Sequence, residues 1–444
     1  MTTFAILITK LAGAMLQLIH RGGSLPGQIG LKLCPDILKK LRIDCPLILV
    51  TGTNGKTSTS NMIAAMLEQE GRIVVNNRKG DNLKEGITTA LLMHTTLRKR
   101  VQGDAIVLEV DELNIPFIMK NLKADALVVT NFFRDQLDRA REMEQLIVKM
   151  EQAISDFEGT LILNGNDPNV VRLHDAAPKA SMLAFGMERC SFSSETTGEA
   201  SEGKFCPRCG KRLEYAFYQY SHIGVFHCSG CDFQTPNLDA AGVVESIPKR
   251  SFRYEGIAFS APQGGLYTMY NCMAVLAVAK LLKVDTRHAA AAFTHIKVPD
   301  GLNEAFTYKN HTCVLNLVKN PTGANEVMKV IEEDETEKSI LIVLNDNAQD
   351  GTDVSWIYDT FFEKLMKNTT KRIIVTGSRC YDMALRLKYG GYTGALEVQE
   401  QMKEAVTALL KSNETMYAIA TYTALQPVRN LLLTQGVQER KGGA

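Results

Sequence analysis

Leu47-Ile48-Leu49-Val50-Thr51-Gly52-Thr53-Asn54-Gly55-Lys56-Thr57-Ser58 reads as a buried strand that runs into a nucleotide-phosphate cradle. The apolar run is short enough for one strand. Two glycines, a lysine and a hydroxyl residue follow it, and a helical pattern opens at Ser58. Glycines let the backbone approach a polyphosphate, while free N–H groups and a helix N-terminus supply positive potential. In such a loop Lys56 reaches the β- and γ-phosphates and the Thr57 hydroxyl ligates Mg²⁺. Val50 stands where the full phosphate-loop pattern has its first glycine. The stretch predicts ATP binding.

Outward from the cradle, short apolar runs alternate with helical patterns, which predicts an α/β fold with a mainly parallel sheet. Strands are expected at Leu47–Val50, Ile73–Asn76, Ala105–Val110, Ala126–Thr130 and Thr160–Leu163, with helices at Ser58–Gln69, Asn114–Asn121 and Glu142–Asp156. After a helix at Tyr270–Leu282, a second α/β unit is expected from about Thr307. Its strands would be Thr312–Leu317, Ser339–Leu344, Arg372–Thr376 and Thr415–Ala420, and its helices Gly323–Glu332, Trp356–Met366 and Glu400–Leu410.

Ile106-Val107-Leu108-Glu109-Val110-Asp111-Glu112 brings carboxylates to the C-terminal end of a strand, the edge where doubly wound sheets hold ligands. Either Asp111-Glu112 or Glu109 could serve Mg²⁺ there. Val128-Val129-Thr130-Asn131 is a second strand end, with Asn131 or Asp135 as a helix cap. Leu163-Asn164-Gly165-Asn166-Asp167-Pro168 reads alone as a turn.

Cys206-Pro-Arg-Cys209 and Cys228-Ser-Gly-Cys231 form C-x₂-C-x₁₈-C-x₂-C, four thiolates on two knuckles suited to tetrahedral Zn²⁺. All four positions are cysteine, so the site has no place for a catalytic water and is read as structural. They lie in a Ser-, Gly- and aromatic-rich stretch from Cys190 to about Asp239 that lacks helical period and reads as an insertion. Nearby His222 and His227 are surplus to the metal, and aromatic surface packing is expected for both. The six other cysteines are scattered, mostly in apolar runs, and predict buried thiols in a reducing cytosol.

The 444 residues allow two or three domains, and Lys+Arg 50 against Asp+Glu 49 leaves a formal net charge of +1. That balance supplies no global field for nucleic acid. At the N-terminus, Phe4, Leu7, Leu11, Met15 and Ile19 recur at helical spacing, predicting an amphipathic helix that packs on the protein or rests on a membrane surface. The run is too short and broken to span a bilayer.

Taken in order, the cradle, a strand-end acid, Thr130-Asn131-x-x-x-Asp135-x-Leu137-Asp138-Arg139 and Leu163-Asn164-x-x-Asp167-Pro168 resemble the ATP-dependent Mur ligase family over about residues 45–300. The Cys₄ insertion, Leu25-Pro26-Gly27 and the run Leu344–Asp359 narrow the likeness, over essentially the whole chain, to those members that amidate lipid II. The resemblance implies an N-terminal segment (1–44), a central ATP-binding domain (45–304) with a zinc-ribbon insertion at about 190–240, and a C-terminal Rossmann-like domain (305–444) that closes over ATP and Mg²⁺. It also implies that Thr53, Asn54, Gly55, Lys56, Thr57 and Ser58 hold phosphate, that Thr57 and Glu109 hold Mg²⁺, and that Asn271 and Asp167 contact the nucleotide. Asp353, which read alone would be an N-cap before Trp356, would complete a Cys-His-Asp triad with a partner glutaminase, a GatD-like class I glutamine amidotransferase in a heterodimer. The implied reaction converts the α-carboxyl of D-glutamate in the lipid II stem peptide to an amide through an acyl phosphate, with ammonia from the partner. It would run in the cytoplasm, at the inner face of the membrane.

The chain departs from the family at several points. Gln136 stands where many members have His, and Leu302, in Asp300-Gly301-Leu302-Asn303, falls where a Gly-Arg cation is usual. No residue clearly matches the family's carbamylated lysine, Lys149 being nearest in sequence. Gly80-Asp81-Asn82 resembles the family's Gly-Ala-Asn with an acid inserted. Two other functions fit parts of the pattern: an amino-acid-adding Mur or folylpolyglutamate-type ligase, and a zinc-ribbon ATPase that binds nucleic acid.

Overall fold

The computed structural model describes residues 2–18, 23–77, 81–133, 143–197, 202–247, 249–262, 264–295 and 304–439. Gln136, Gly80 and the Asp300–Asn303 run fall outside these. The chain divides into two compact units, the first holding nearly all described residues through His295 and the second Glu304–Glu439.

The first unit is built on a nine-stranded sheet. Its strands are β1 (Leu47–Thr51), β2 (Val74–Asn76), β3 (Ala105–Glu109), β4 (Ala126–Val129), β5 (Thr160–Asn164), β6 (Ser181–Met187), β9 (Ala240–Ser246), β10 (Ser251–Tyr254) and β11 (Ile257–Ser260), in the order β11-β10-β9-β6-β5-β4-β1-β3-β2; β7 (Leu213–Tyr220) and β8 (Ile223–Cys228) pair as a separate hairpin. β1 lies parallel between β3 and β4, with Val50 opposite Glu109 and Thr51 opposite Val129. The chain therefore crosses over β1 to pass from β3 to β4, and the strand order reverses there. Alternate residues of β1 serve opposite faces, Ile48 and Val50 in one core and Leu47 and Leu49 in the other. Strands covered on both faces read as continuous apolar runs, which is why β1, β3 and β4 stand out in the sequence.

Helix Leu266–Leu282 is buried over most of its length. It is apolar nearly all round, as a helix packed on several sides must be. Its seat in the core carries Asn271 to the cradle. At the N-terminus, α1 (Thr2–Leu18) packs on α2 (Leu25–Leu33) through Ala5, Ile6 and Thr9. Gly13 is close against Met93 and Gly30 against Thr9, so small residues permit the approach. The predicted apolar stripe is the other face: Phe4, Leu7, Leu11 and Met15 are 59, 42, 53 and 69 % exposed. Helical spacing located the helix correctly, but its packed side is Ala5, Ile6, Thr9 and Gly13 rather than the larger apolar stripe.

In the second unit, β13 (His311–Leu317), β17 (Thr415–Ala420), β14 (Lys338–Val343), β15 (Thr370–Thr376) and β16 (Ala395–Val398) form a parallel run, with β12 (Glu304–Tyr308) antiparallel to β13. The expected helix at Trp356–Met366 is instead two 3₁₀ turns, Ser355–Asp359 and Phe362–Leu365. Thr360 is extended between them, and the Phe361 N–H donates to Asn325 Oδ1 at 2.8 Å rather than to a helical carbonyl.

Candidate active site

The cradle lies at the C-terminal edge of the sheet, between β1 and β4, where the strand order reverses. Ligands of open α/β sheets bind at such a crevice. Gly52 and Gly55 have φ of 122° and 85°, in the left-handed region open to glycine. A Cβ at Gly52 would lie 2.3 Å from Thr130 Oγ1, and one at Gly55 would lie 2.3 Å from Asn271 Oδ1. Helix α3 (Lys56–Gln69) follows directly, so its first N–H groups face the same space.

Thr130 and Asn131, from the end of β4, shape the loop. Asn54 N–H donates to Asn131 Oδ1 (2.9 Å), while Asn131 Nδ2 and Thr130 Oγ1 donate to Asn54 O (3.0 and 2.7 Å). Asn131 is thus a clamp on the cradle and not a helix cap. Thr53 is held by its own N–H to Asn131 O and by the Phe133 N–H, which donates to Thr53 Oγ1 at 3.0 Å.

Lys56 Nζ donates to Gly52 O at 2.6 Å and lies 3.2 Å from both oxygens of Glu112. Both side chains are about 10 % exposed, so the pair is largely shielded from solvent beside the phosphate position. Thr57 Oγ1 donates to Glu109 Oε1 at 2.9 Å, and Asn82 Nδ2 donates to the same oxygen at 3.0 Å. Asn77 grips the Glu109 backbone at both N–H and C=O. A hydroxyl and a carboxylate from two neighbouring elements make an all-oxygen donor pair suited to Mg²⁺. The alternatives left open by the sequence thus separate: Glu109 faces Thr57, Glu112 pairs with Lys56, and Asp111 caps the short 3₁₀ turn Glu112–Asn114 by accepting from Leu113 N–H.

Asp167 is fully buried, and its oxygens accept from Phe132 N–H and Asn169 N–H, each at 2.9 Å. It heads a short helix, Pro168–Val171, and braces the β4 loop. Asn271 is buried against Gly55, and Ser58 is half-buried on the first turn of α3. Lys149 is exposed on helix Met143–Ile154. Thr130 and Asn82 stand in runs that the sequence marks, whereas the contribution of Asn77 was not legible from residue type; its only sequence sign is a polar side chain directly after a strand end.

Cys206, Cys209, Cys228 and Cys231 converge with all four sulfurs within 4.8 Å of one another, and two pairs stand 3.5 and 3.4 Å apart. Tetrahedral Zn²⁺ at about 2.3 Å from each sulfur needs sulfurs about 3.8 Å apart, so the set fits the ion. The Gly230 N–H, 3.3 Å from the Cys228 sulfur, is the main influence drawing that thiol down to about 7. Phe226, Phe233 and Leu213 form a small core beneath the knuckles with Val171. Substituting Cys228 with serine is expected to abolish stoichiometric zinc in elemental analysis and to lower the melting temperature, because ribbons of this size fold with their metal. The expected surface packing of His222 is overturned: it is fully buried beside Asp167, whereas His227 is exposed beside Glu214.

In the second unit, Asp353 is exposed and accepts from Ser355 N–H at 2.8 Å. Its loop is anchored by Asp350, which accepts from Thr423 N–H, and by Asn345 and Asn347, whose amides donate to Thr423 Oγ1.

Residues 50–229 match the model of the Mur ligase middle domain, and residues 317–425 match that of the MurT ligase C-terminal domain. The chain is 34 % identical over 430 residues, 96 % of each chain, to lipid II isoglutaminyl synthase (glutamine-hydrolyzing) subunit MurT of Staphylococcus aureus (strain COL). Identity to the subunit of the same name from Streptococcus pneumoniae (strain ATCC BAA-255 / R6) is 30 % over 446 residues, 99 % of each chain. In fold it is similar to a pseudomurein peptide ligase type C from Methanothermus fervidus, with a TM-score of 0.71 and 19 % identity over 90 % of this chain and 81 % of that one. The chain belongs to the MurT family of Mur ligases and is an ATP-dependent ligase.

Proposed function

We propose that this chain is the ligase subunit of a glutamine-hydrolysing lipid II isoglutaminyl synthase. The observation that carries the reading is the relation to MurT subunits along the whole chain, including the C-terminal stretch that holds Asp353. The α-carboxylate of D-glutamate in the stem peptide attacks the γ-phosphorus of ATP. A new P–O bond forms and ADP leaves. Ammonia then attacks the acyl carbon, its C–O bond to phosphate breaks, and phosphate departs with the electron pair while nitrogen loses a proton. Lys56 and the N–H groups of Gly55–Ser58 would stabilise charge on the transferring phosphoryl group, with Thr53 and Asn54, whose own N–H groups are held by Asn131, shaping the loop, and Thr57 with Glu109 would hold Mg²⁺, which would supply further positive charge there. Asn271 and Asp167 keep Gly55 and the β4 loop in place around the nucleotide. The four cysteines would hold structural Zn²⁺.

Ammonia comes from a class I glutaminase bound as a heterodimer, with Asp353 as the third member of its triad. The functional domains are residues 45–304, with the ribbon inserted, and 305–444. The discriminating experiment supplies the purified chain with ATP, lipid II and either ammonium or a panel of amino acids. Amidation with ammonium alone supports the reading; addition of an amino acid would replace it with an ordinary Mur or folylpolyglutamate-type ligase.

Lipid II is membrane-anchored, so the reaction belongs to the cytoplasm at the inner membrane face. Among the described residues no helix is long and apolar enough to cross a membrane. The exposed stripe of α1 supports surface attachment instead, since an apolar helical face can settle at the headgroup boundary. The full chain is expected to sediment with anionic liposomes, and Phe4→Glu/Leu11→Glu to reduce the bound fraction about fivefold or more. Its melting temperature should change little, because both side chains are more than half exposed.

A further inference from the structure

The ribbon does more than decorate the first unit. Its hairpin turns at Ser221, which has φ of 47°, and His222 follows just before β8 with its side chain fully buried. His222 Nε2 lies 3.2 Å from Asp167 Oδ1, and Nδ1 lies 3.6 Å from Glu202 Oε2. Its ring sits 4.7 Å from that of Phe133. Both neighbours lead to the cradle. The other oxygen of Asp167 accepts the Phe132 N–H at 2.9 Å, and the Phe133 N–H donates to Thr53 Oγ1 at 3.0 Å. Beside this path, Gly224 N–H donates to Asn166 O at 2.9 Å, tying the hairpin backbone to the end of β5. At the knuckle end, Arg208 grips Asp175 with two bonds of 2.7 Å, and Val171 joins the ribbon core. The hairpin is therefore fixed at both ends to the segment that begins with Asp167.

We propose that His222 is a positioning residue through which the four-cysteine ribbon sets the shape of the phosphate cradle, and with it the affinity for a nucleoside triphosphate. The route from His222 to the cradle runs through Asp167 and Phe133. The histidine acts by filling the space against Phe133 and facing a buried carboxylate that would otherwise lose a polar neighbour. Removing a buried polar neighbour carries a free-energy penalty for the group left behind, which the loop can relieve by shifting. Here that group holds the backbone of Phe132, one residue from the Thr53 contact. The inference rests on the reading of the cradle as an ATP site.

The test uses the full chain with its partner and zinc, comparing His222→Ala and His222→Gln with the parent. Gln can return an N–H donor near the position of Nε2. Zinc content, melting temperature, the Kd of a non-hydrolysable ATP analogue with Mg²⁺, and KM for ATP against kcat are measured. His222→Ala is expected to weaken the analogue and raise KM about tenfold, with kcat within about twofold and full zinc, and Gln to recover most of the loss. The proposal is overturned if His222→Ala binds the analogue as the parent does. It is also overturned if Gln and Ala are equally poor while melting falls in both, which marks a purely structural residue. A parent chain that binds the analogue no better than Lys56→Ala would instead defeat the ATP-site reading itself.

Discussion

Replacing Lys56 with alanine is expected to lower ATP-dependent amidation about 10³-fold or more, the scale seen when a cation on a transferring phosphoryl group is removed. The partners of the lysine complicate a simple deletion. Its ammonium bonds to Gly52 O within the loop and faces both oxygens of Glu112, which is itself only 8 % exposed. Deleting one partner of a buried pair leaves an uncompensated charge, at a cost of about 3–5 kcal/mol. Lys56→Ala alone should therefore melt earlier as well as turn over slowly. Adding Glu112→Gln removes the stranded charge, so the double variant should regain much of the melting temperature while remaining inactive. If stability and activity returned together, the lysine would be a structural tie, and the cradle would owe its phosphate binding to backbone N–H groups alone.

The second large effect concerns Asp353, and its size depends on the nitrogen source. Its carboxylate is exposed, at the start of the 3₁₀ turn Ser355–Asp359, on a loop pinned by Asp350 and Thr423. As the orienting acid of a triad shared with a glutaminase, it would fix the tautomer and direction of the partner's imidazole. Loss of such an acid costs roughly 10⁴-fold in a serine-protease triad. Asp353→Ala should thus cut glutamine-dependent amidation by about 10²- to 10⁴-fold. Amidation driven by added ammonium should persist near the parent rate, because neither Lys56 nor Glu109 is touched. Equal losses with both nitrogen sources would remove Asp353 from the glutaminase and leave it as a turn-forming cap.

The cradle was legible because its parts are contiguous: strand, glycines, lysine, threonine and helix occupy one window of sequence. Four clustered cysteines were legible for the same reason, since two knuckles of fixed spacing carry the whole ligand set. What joins these parts was not. Glu109, Asp111 and Glu112 are equivalent as residue types at a strand end. Only the register of Val50 against Glu109, and the turn of the chain after it, decide which carboxylate meets Thr57 and which meets Lys56. His222 was misread because a histidine among aromatics on a ribbon resembles a surface residue; its burial depends on Asp167, which lies 55 positions earlier. The face of α1 was misjudged because its packed side, Ala5, Ile6, Thr9 and Gly13, carries one large apolar residue among small and polar ones and so leaves a weaker apolar signal than the exposed stripe. In the second unit the polar run at Asp346–Asp353 folds through side-chain bonds to Thr423, far along the chain, which leaves no local period to read.

The central claim is that this chain spends ATP to amidate lipid II with nitrogen delivered by a bound glutaminase. Mass analysis of lipid II after incubation with the purified chain, a class I glutaminase partner, glutamine and ATP tests it most directly. The account predicts a stem peptide in which the α-carboxyl hydroxyl of D-glutamate has become an amino group, with one ADP and one phosphate formed for each amide. An unchanged stem peptide beside a complex that hydrolyses both ATP and glutamine would contradict it.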